Sequence, residues 1–437
     1  MGEADTIFAL ASGAGRSALS VVRISGPECM EMITDLCHGT PPPARHASLR
    51  SLRDGSGEVL DRALVLWFPG PRSYTGEDSA ELHLHGGAAV LAGVVDRLAA
   101  LGARPAEPGE FSRRAFLNGR MDLLQAEAVA DLVAAETAAQ RQQALRQLGG
   151  ALGGLYRTWS GVLLRLLARQ EALIDFPDED LPPDVEAALQ AEIAALLAEI
   201  VGHLEDGRRG ERLRDGLVFA VVGPTNVGKS TLINALAGRD VSIVSAFAGT
   251  TRDVLEARVV LGGVPVTLLD TAGLRAAVDP IETEGVRRAL ARAASADLVI
   301  EVHDPQTTPA ALVMLSGIAG RRRIVVANKA DQGVGSDIAA IRVSAMTGFG
   351  MEQLQGVLGA IAAEMTSAAG PPALTRARHR SALGAAAASL RRAVQASLPE
   401  LRGEDLRAAL LALGRITGTV GADEVLDSVF AQFCIGK

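Results

Sequence analysis

The chain has 437 residues, a formal net charge of −8, 48% hydrophobic residues and only 3% aromatics. That length allows two to four domains at roughly 100–200 residues each, with cores built mainly from Ala, Leu and Val. The negative charge excludes a protein that coats nucleic acid through a broad basic surface, though it leaves room for RNA held by a local patch or a partner. Three cysteines, Cys29, Cys37 and Cys434, make no disulfide framework and point to a reducing compartment. The polar, acidic start Met1 to Asp5 is unlike a signal peptide, and no uninterrupted apolar run reaches the ~18 residues of a membrane span. The expected location is the cytoplasm, with no membrane partner.

Residues 1–117 read as a small α/β domain. Ala18 to Ile24 is an apolar, β-branched run closed by Ser25-Gly26-Pro27, and Ala63 to Phe68 is closed by Pro69-Gly70-Pro71. Ser79 to His85 reads as a strand ended by Gly86-Gly87, followed by helical character from Ala88 to Leu101. Residues 118–215 read as helical: one helix from Leu123 to Leu148 stopping at Gly149-Gly150, a second to about Phe176, then Pro177, Pro182 and Pro183 as breakers and Asp184 as a cap for a third. Residues 216–366 alternate apolar strands with helices, the pattern of a mostly parallel sheet with helices on both faces. Residues 367–437 return to Ala- and Leu-rich helix. The economical arrangement is one helical domain interrupted by an inserted α/β domain, since the two ends of a domain often lie close together.

The inserted segment carries the chemistry. A buried-strand run, Leu217 to Val222, feeds Gly223-Pro224-Thr225-Asn226-Val227-Gly228-Lys229-Ser230 and then a helix from Thr231, which is G-x-x-x-x-G-K-[ST] in its strand–loop–helix setting. Glycines let backbone approach phosphate oxygens, and the helix N-terminus aims N–H groups at the anion. Lys229 reaches the β- and γ-phosphates, and the Ser230 hydroxyl ligates Mg²⁺. Taken alone, the motif is also compatible with a chance glycine-rich turn.

Three further strand ends agree with it. Val264 to Leu269 ends in Asp270-Thr271-Ala272-Gly273, where Asp270 holds the Mg²⁺ shell and the Gly273 amide meets the γ-phosphate. Ile324 to Ala327 ends in Asn328-Lys329-Ala330-Asp331. The Asp331 carboxylate matches the ring N–H and exocyclic amine of guanine, a donor pair that adenine lacks, so this element selects GTP over ATP. Ile341 to Val343 ends in Ser344-Ala345-Met346, which supports the base from its other side. Loops at the carboxyl ends of strands are where open α/β sheets bind ligands. Between these elements lies Gly249-Thr250-Thr251-Arg252-Asp253, a switch-loop candidate in which Thr251 closes the Mg²⁺ shell.

The place just after Gly273, where Ras-like GTPases keep a water-orienting glutamine, holds Leu274, which cannot polarise water. Hydrolysis is therefore slow or is helped by another group. Glu282 and Glu284 are candidates, as are Arg252 and Arg275 as arginine fingers, although solvated surface charge is the blander account of each. Asn226 is either plain turn chemistry or a side-chain carbonyl holding a monovalent cation beside the phosphates, where it would stabilise transition-state charge.

Stretches outside the inserted segment resemble one family. They are Ser73-Tyr74-Thr75-Gly76-Glu77-Asp78, His85-Gly86-Gly87, Pro108-Gly109-Glu110-Phe111, the run R-A-F-L-N-G-R-M-D-L-L-Q-A-E-A-V from Arg114, Ala409 to Val420, and the ending Phe433-Cys434-Ile435-Gly436-Lys437. These look like the signatures of the MnmE (TrmE) tRNA-modifying GTPases, and they span essentially the whole chain. The resemblance implies an N-terminal domain, residues 1–117, that binds a one-carbon tetrahydrofolate derivative (5,10-methylene or 5-formyl) and dimerises. It implies a homodimer acting with an MnmG (GidA)-type flavoprotein, with FAD only on that partner, to place an aminomethyl or carboxymethylaminomethyl group on the 5-position of wobble uridine in certain tRNAs. It also implies potassium-dependent dimerisation of the GTPase domains.

By the same resemblance K⁺ is held by the side chains of Asn226 and Thr250 and the carbonyls of Ser245 and Phe247. Ser245 replaces the family's usual threonine, which matters little if only its carbonyl is used. Glu282 falls on the catalytic glutamate, and Cys434 on the cysteine tied to the modification chemistry. The expected GTP contacts are Asn226, Val227, Gly228, Lys229, Ser230, Thr231, Ser245, Ala246, Phe247, Ala248, Gly249, Thr250, Thr251, Asp270, Thr271, Ala272, Gly273, Asn328, Lys329, Asp331, Ser344, Ala345 and Met346. The folate residues carry over as Arg23, Glu81, Arg120 and Lys437. Position 120 is usually lysine in the family, and arginine keeps the charge but changes its geometry. Without the resemblance, Arg23 and Glu81 read as surface charges on strands.

Other features have blander accounts. His83 and His85 share a strand face, but two histidines without a thiol or carboxylate cluster are more often structural than metal-binding. Basic clusters at Arg208 to Arg214, Arg321 to Arg323 and Arg376 to Arg380 read as solvated faces before tRNA contacts. The main rival function is a ribosome-assembly GTPase switch, which would carry an appended RNA-binding module that the Ala/Leu-rich C-terminus does not resemble. A folate-dependent methyltransferase acting alone would leave the nucleotide motifs without a purpose.

Overall fold

The structure is a computed structural model that describes residues 5–39, 41–175, 184–224, 226–238, 256–270, 295–304, 322–333, 340–367, 372–419, 426, 429–431, 433 and 436. The chain divides into two compact units. One comprises Met1–Val133, Arg146–Leu196 and Ala385–Lys437, and the other comprises Ala134–Leu145 and Leu197–Gly384.

The first unit opens with β1 (Ile7–Leu10), β2 (Leu19–Ser25), α1 (Cys29–Leu36), β3 (Ser48–Arg53), β4 (Val59–Phe68), β5 (Ser79–His85), α2 (Ala88–Ala100), β6 (Arg104–Pro105) and α3 (Glu110–Leu117). The six strands form one sheet in the order β3-β4-β5-β2-β1-β6, antiparallel except for the β1–β6 pair. Alternation of side chains along a strand divides this sheet into two faces. Val22, Ile24, Ala63, Val65, Leu82 and Leu84 form one core with residues of α1 and α2. Ile7 and Ala9 pack with Phe111 and Tyr74 on the other. Each fully buried Leu, Ile or Val adds roughly 1.5–3 kcal/mol.

Helices α4 (Leu123–Ala134), α5 (Ala138–Leu148), α6 (Ala151–Asp175), α7 (Asp184–Leu204), α11 (Ala377–Gln395) and α12 (Pro399–Thr417) follow or close the chain. Leu123 and Ala126 pack against Leu426, Val429, Phe430 and Phe433. The single helix expected from Leu123 to Leu148 is two helices. Thr137 and Gln140 make a capping box, in which Thr137 Oγ1 accepts from the Gln140 amide and Gln140 Oε1 accepts from the Glu136 and Thr137 amides. That reciprocal capping starts a new helix despite continuous apolar periodicity.

The second unit is built on α8 (Arg209–Asp215), β7 (Leu217–Val222), α9 (Lys229–Ala237), β8 (Glu256–Leu261), β9 (Val264–Asp270), β10 (Leu298–His303), β11 (Arg323–Ala327), β12 (Ile341–Arg342) and α10 (Met351–Thr366). Its sheet runs β12-β11-β10-β7-β9-β8, parallel throughout except for the β8–β9 pair. Leu217, Phe219 and Val221 face a core that includes Leu232, Leu236, Leu354 and Leu358, while Ala220 and Val222 face Ala296 and Val299. Strands buried on both faces are the mark of a parallel sheet, so the expected class, α/β plus α with a mostly parallel sheet, is the one observed. Among the described residues no helix is long and apolar enough to cross a membrane.

Candidate functional site

The loops after β7, β11 and β12 and the Asp270 end of β9 lie at carboxyl ends of strands in one sheet, with β10 between β7 and β11. The β7–α9 loop is shaped by left-handed backbone at Asn226 (φ 65°) and Gly228 (φ 90°). Gly228 is required there: a Cβ would stand 2.4 Å from Asn328 Nδ2. Lys229 is buried at the start of α9, and its Nζ donates to the Gly223 and Pro224 carbonyls at 2.9 and 2.8 Å. Burial pushes its pKa below the ordinary 10.5, with Asp270 opposing, so this ammonium is short of compensating charge and suited to phosphate oxygens.

Ser230 Oγ donates to Asp270 Oδ2 at 2.5 Å. Asp270 is only 3% exposed, and its Oδ1 has no hydrogen-bond partner among the described residues. An orphaned buried carboxylate oxygen costs roughly 1–3 kcal/mol or more, a cost that a cation beside it removes. Hydroxyl and carboxylate oxygens are the hard donors that Mg²⁺ takes alongside phosphate oxygens, so these two residues fit that ion.

Asn328 ties two of the loops together. Its buried amide donates to the Val227 carbonyl at 2.8 Å and accepts from the Ala345 amide at 3.1 Å. Lys329, at φ 58°, donates from Nζ to the Asn226 carbonyl at 2.6 Å and to Asp304 at 3.0 Å. Asp331 is exposed on a 3-10 turn, Ala330–Gln332. Ser344 is buried, and its hydroxyl accepts from the Thr347 amide. Met346 stands 87% exposed beside it. Thr231 is exposed on α9. Asp304 was not singled out from sequence, although an aspartate just past the β-branched stretch Leu298 to Val302, interrupted only by Glu301, was the available signal.

On the first unit, Arg23 and Glu81 lie opposite each other on β2 and β5. Arg23 donates to Glu81 Oε1 from Nε at 3.2 Å and from Nη2 at 2.9 Å. Its guanidinium lies 5.2 Å from the Tyr74 ring centre and 5.8 Å from that of Phe111, within cation–π range. Its Nη1 also reaches the Gly436 carbonyl at 3.5 Å. Glu81 Oε2 meets His83 Nε2 at 3.3 Å. Burial works against the Glu81 charge, yet the Arg23 hydrogen bond and charge, with His83, hold its pKa below the ordinary 4.5. Tyr74, Phe111 and His83 were missed from sequence as members of this group, though period-two spacing already places His83 on the face of Glu81. Arg120 is exposed, its stem packed on Gly76, and no hydrogen bond or ion pair joins it to Arg23 or Glu81.

Of the residues expected to act in the two sites, Ser245, Ala246, Phe247, Ala248, Gly249, Thr250, Thr251, Thr271, Ala272, Gly273, Glu282, Cys434 and Lys437 lie outside the described residues. His83 and His85 each meet a carboxylate, Glu81 and Asp61, and no group of three metal-ligating side chains occurs among the described residues. Members of the basic clusters are tied into ion pairs: Arg208 with Glu211, Arg212 with Asp297, Arg322 with Glu364, and Arg380 with Asp206 and Glu211.

A phosphate-type glycine loop, an adjoining Ser–Asp pair and an Asn-Lys-x-Asp loop on a parallel sheet define a P-loop protein of the guanine-nucleotide-binding class. Residues 6–120 match the family described as GTP-binding protein TrmE N-terminus, and residues 123–434 match the MnmE helical domain. Over 436 residues the chain is 58% identical to the tRNA modification GTPase MnmE of Gluconacetobacter diazotrophicus, covering 99% of this chain and 98% of that one. It is 55% identical to its counterpart in Granulibacter bethesdensis, covering 99% of each, and 53% identical to that of Rhodospirillum rubrum, again with 99% of each covered. The chain belongs to the MnmE family of tRNA modification GTPases.

Proposed function

We propose that this protein hydrolyses GTP to drive modification of the wobble uridine of certain tRNAs at its 5-position. The reading rests above all on the Asn328 amide, which bonds both the phosphate loop and the Ser344–Met346 loop and so couples the base-reading side of the site to the phosphate-holding side. Lys229 and the α9 amides bind the phosphates, Asp331 reads guanine, and Ser344 to Met346 back the base. Mg²⁺, when bound at Ser230 and Asp270 with Thr251, neutralises charge that develops on the phosphoryl oxygens. Asn226, Ser245, Phe247 and Thr250 are the residues proposed to hold K⁺ in the GTPase-domain dimer. Glu282 orients the attacking water in place of the glutamine that position 274 lacks.

Arg23 and Glu81 are proposed to bind the pterin of a one-carbon tetrahydrofolate, with Arg120 and Lys437 assisting. A carboxylate matches the amino and ring N–H donors of the pterin, and basic groups match its carbonyl or anionic tail. The Tyr74 and Phe111 rings give a flat ligand an apolar wall. Cys434 serves the modification step, which proceeds in a complex of the homodimer with an MnmG-type flavoprotein that carries the FAD.

The test is reconstitution: purified chain, flavoprotein partner with its FAD, 5,10-methylenetetrahydrofolate, ammonium or glycine as the amine donor, GTP and unmodified tRNA, read by nucleoside mass spectrometry. A GTP-dependent aminomethyl or carboxymethylaminomethyl product at the wobble uridine supports the proposal. Unmodified uridine under conditions where GTP is turned over overturns it. GTP turnover that is equal in potassium and sodium overturns the K⁺ assignment separately.

A further inference from the structure

The helix-covered face of the N-terminal sheet holds a mainly apolar cavity with a few polar groups, on the side of β2 away from Arg23. It has a volume of about 290 Å³ and lies between the β1–β2 loop and the start of α2, lined among others by Leu10, Arg16, Ser20, Gly86, Ala88 and Leu91. Ser20 alternates with Val22 and Ile24, which face α1 and α2, whereas Arg23 points to the opposite face.

Two independent features mark this cavity as a ligand site. The first is Ser20, which is 3% exposed and whose hydroxyl has no hydrogen-bond partner among the described residues. By contrast, the buried hydroxyls of Ser25, Thr75 and Ser79 at the other end of β2 are linked at 2.6 and 3.1 Å, as buried polar groups normally are. The second is the N-terminus of α2, a helix of 13 residues whose N-cap is Gly87, with no side-chain cap. Its first backbone bond runs from the Leu91 amide to the Gly87 carbonyl, so the amides of Ala88, Ala89 and Val90 find no acceptor within the helix and carry its positive end.

The sequence keeps this opening tight. A Cβ on Gly86 would stand 2.2 Å from the Ser17 carbonyl, and the Ser17 amide donates to the Gly86 carbonyl at 3.4 Å, so only glycine brings the β1–β2 loop this close to the helix start. Arg16, exposed at the rim, forms no ion pair among the described residues, and no carboxylate lines the cavity. The floor is aliphatic, from Leu10, Ala88 and Leu91.

We propose that this cavity binds a small organic carboxylate with a short aliphatic body. Arg16, the Ser20 hydroxyl and the α2 amides hold the carboxylate, and the body lies on Leu10 and Leu91. One cation over an apolar floor matches a singly charged ligand with a hydrocarbon part. It matches a bare, doubly charged, fully hydrated anion poorly.

Saturation-transfer difference NMR on the intact full-length chain tests this with butyrate and with 1-butanol, which has the same chain length and no charge. Wild type is expected to give butyrate signals and little from butanol. Arg16→Gln is expected to weaken butyrate binding about tenfold, the loss typical of one charge-assisted hydrogen bond. Ser20→Leu, which fills the cavity, is expected to abolish it, with GTP turnover unchanged in both variants. No butyrate signal from wild type, equal signals from butyrate and butanol, or undiminished butyrate binding in Arg16→Gln overturns the proposal. Arg16 is exposed, so that variant remains informative even if Ser20→Leu does not fold.

Discussion

The side chain of Asn328 donates to the carbonyl of Val227 at 2.8 Å, joining positions 101 residues apart. The same side chain accepts from the Ala345 amide, so one buried amide fixes the spacing of three loops. Asn328→Ala removes both bonds at roughly 1 kcal/mol each. Affinity for a fluorescent GDP analogue is expected to fall about ten- to hundredfold, with the melting of the N-terminal unit unchanged. Unaltered affinity would show that the loops are positioned without Asn328.

In the proposed site Asp331 reads the base through an acceptor-only carboxylate. Asp331→Asn offers an amide donor that matches the 2-oxo group of xanthine in place of the guanine amine. The variant is expected to lose GTP by about hundredfold and to gain xanthosine triphosphate, as measured by nucleotide competition. Retained preference for GTP would remove Asp331 from the base site.

Glu81 is held between Arg23 and His83. Glu81→Gln keeps the shape and loses the charge, so binding of 5-formyltetrahydrofolate, followed by calorimetry, is expected to weaken about tenfold or more, with GTP turnover within about twofold of wild type. Unchanged folate binding would show that the Arg23–Glu81 pair serves the fold alone.

Glu110 supplies a pH-dependent share of stability. Its carboxylate receives bonds from Arg104, the Glu107 amide and Arg114, and these outweigh burial, so its native pKa lies below the ordinary 4.5. A depressed carboxylate contributes stability that is complete above its unfolded pKa and is lost as pH falls through its native pKa. Urea denaturation from pH 6 downwards is therefore expected to show wild type losing stability below about pH 4.5, with a shallower loss in Glu110→Gln. Equal slopes would show that the Glu110 pairings are no stronger in the folded state.

The nucleotide loops were legible in sequence because each stands at the end of a short apolar run, where backbone geometry and chemistry are both written locally. Gly228 is an example: the motif asks for glycine, and the fold places Asn328 Nδ2 where a Cβ would be. The Thr137–Gln140 capping box was equally local but lay hidden within a continuous apolar periodicity, so two helices read as one. The Arg23–Glu81 pair is of another kind. Its members are 58 residues apart, and nothing near either in sequence names the other, so strand pairing alone brings them together with Tyr74 and Phe111. Family resemblance supplied that pair, whereas alternation along β5 would have placed His83 beside Glu81 without it.

Competition calorimetry with GTP and ATP on the purified chain tests the guanine site most directly. GTP is expected to bind at least about a hundredfold more tightly than ATP, because adenine leaves the Asp331 carboxylate without its donor pair. Equal affinity for the two nucleotides would contradict the account at its base.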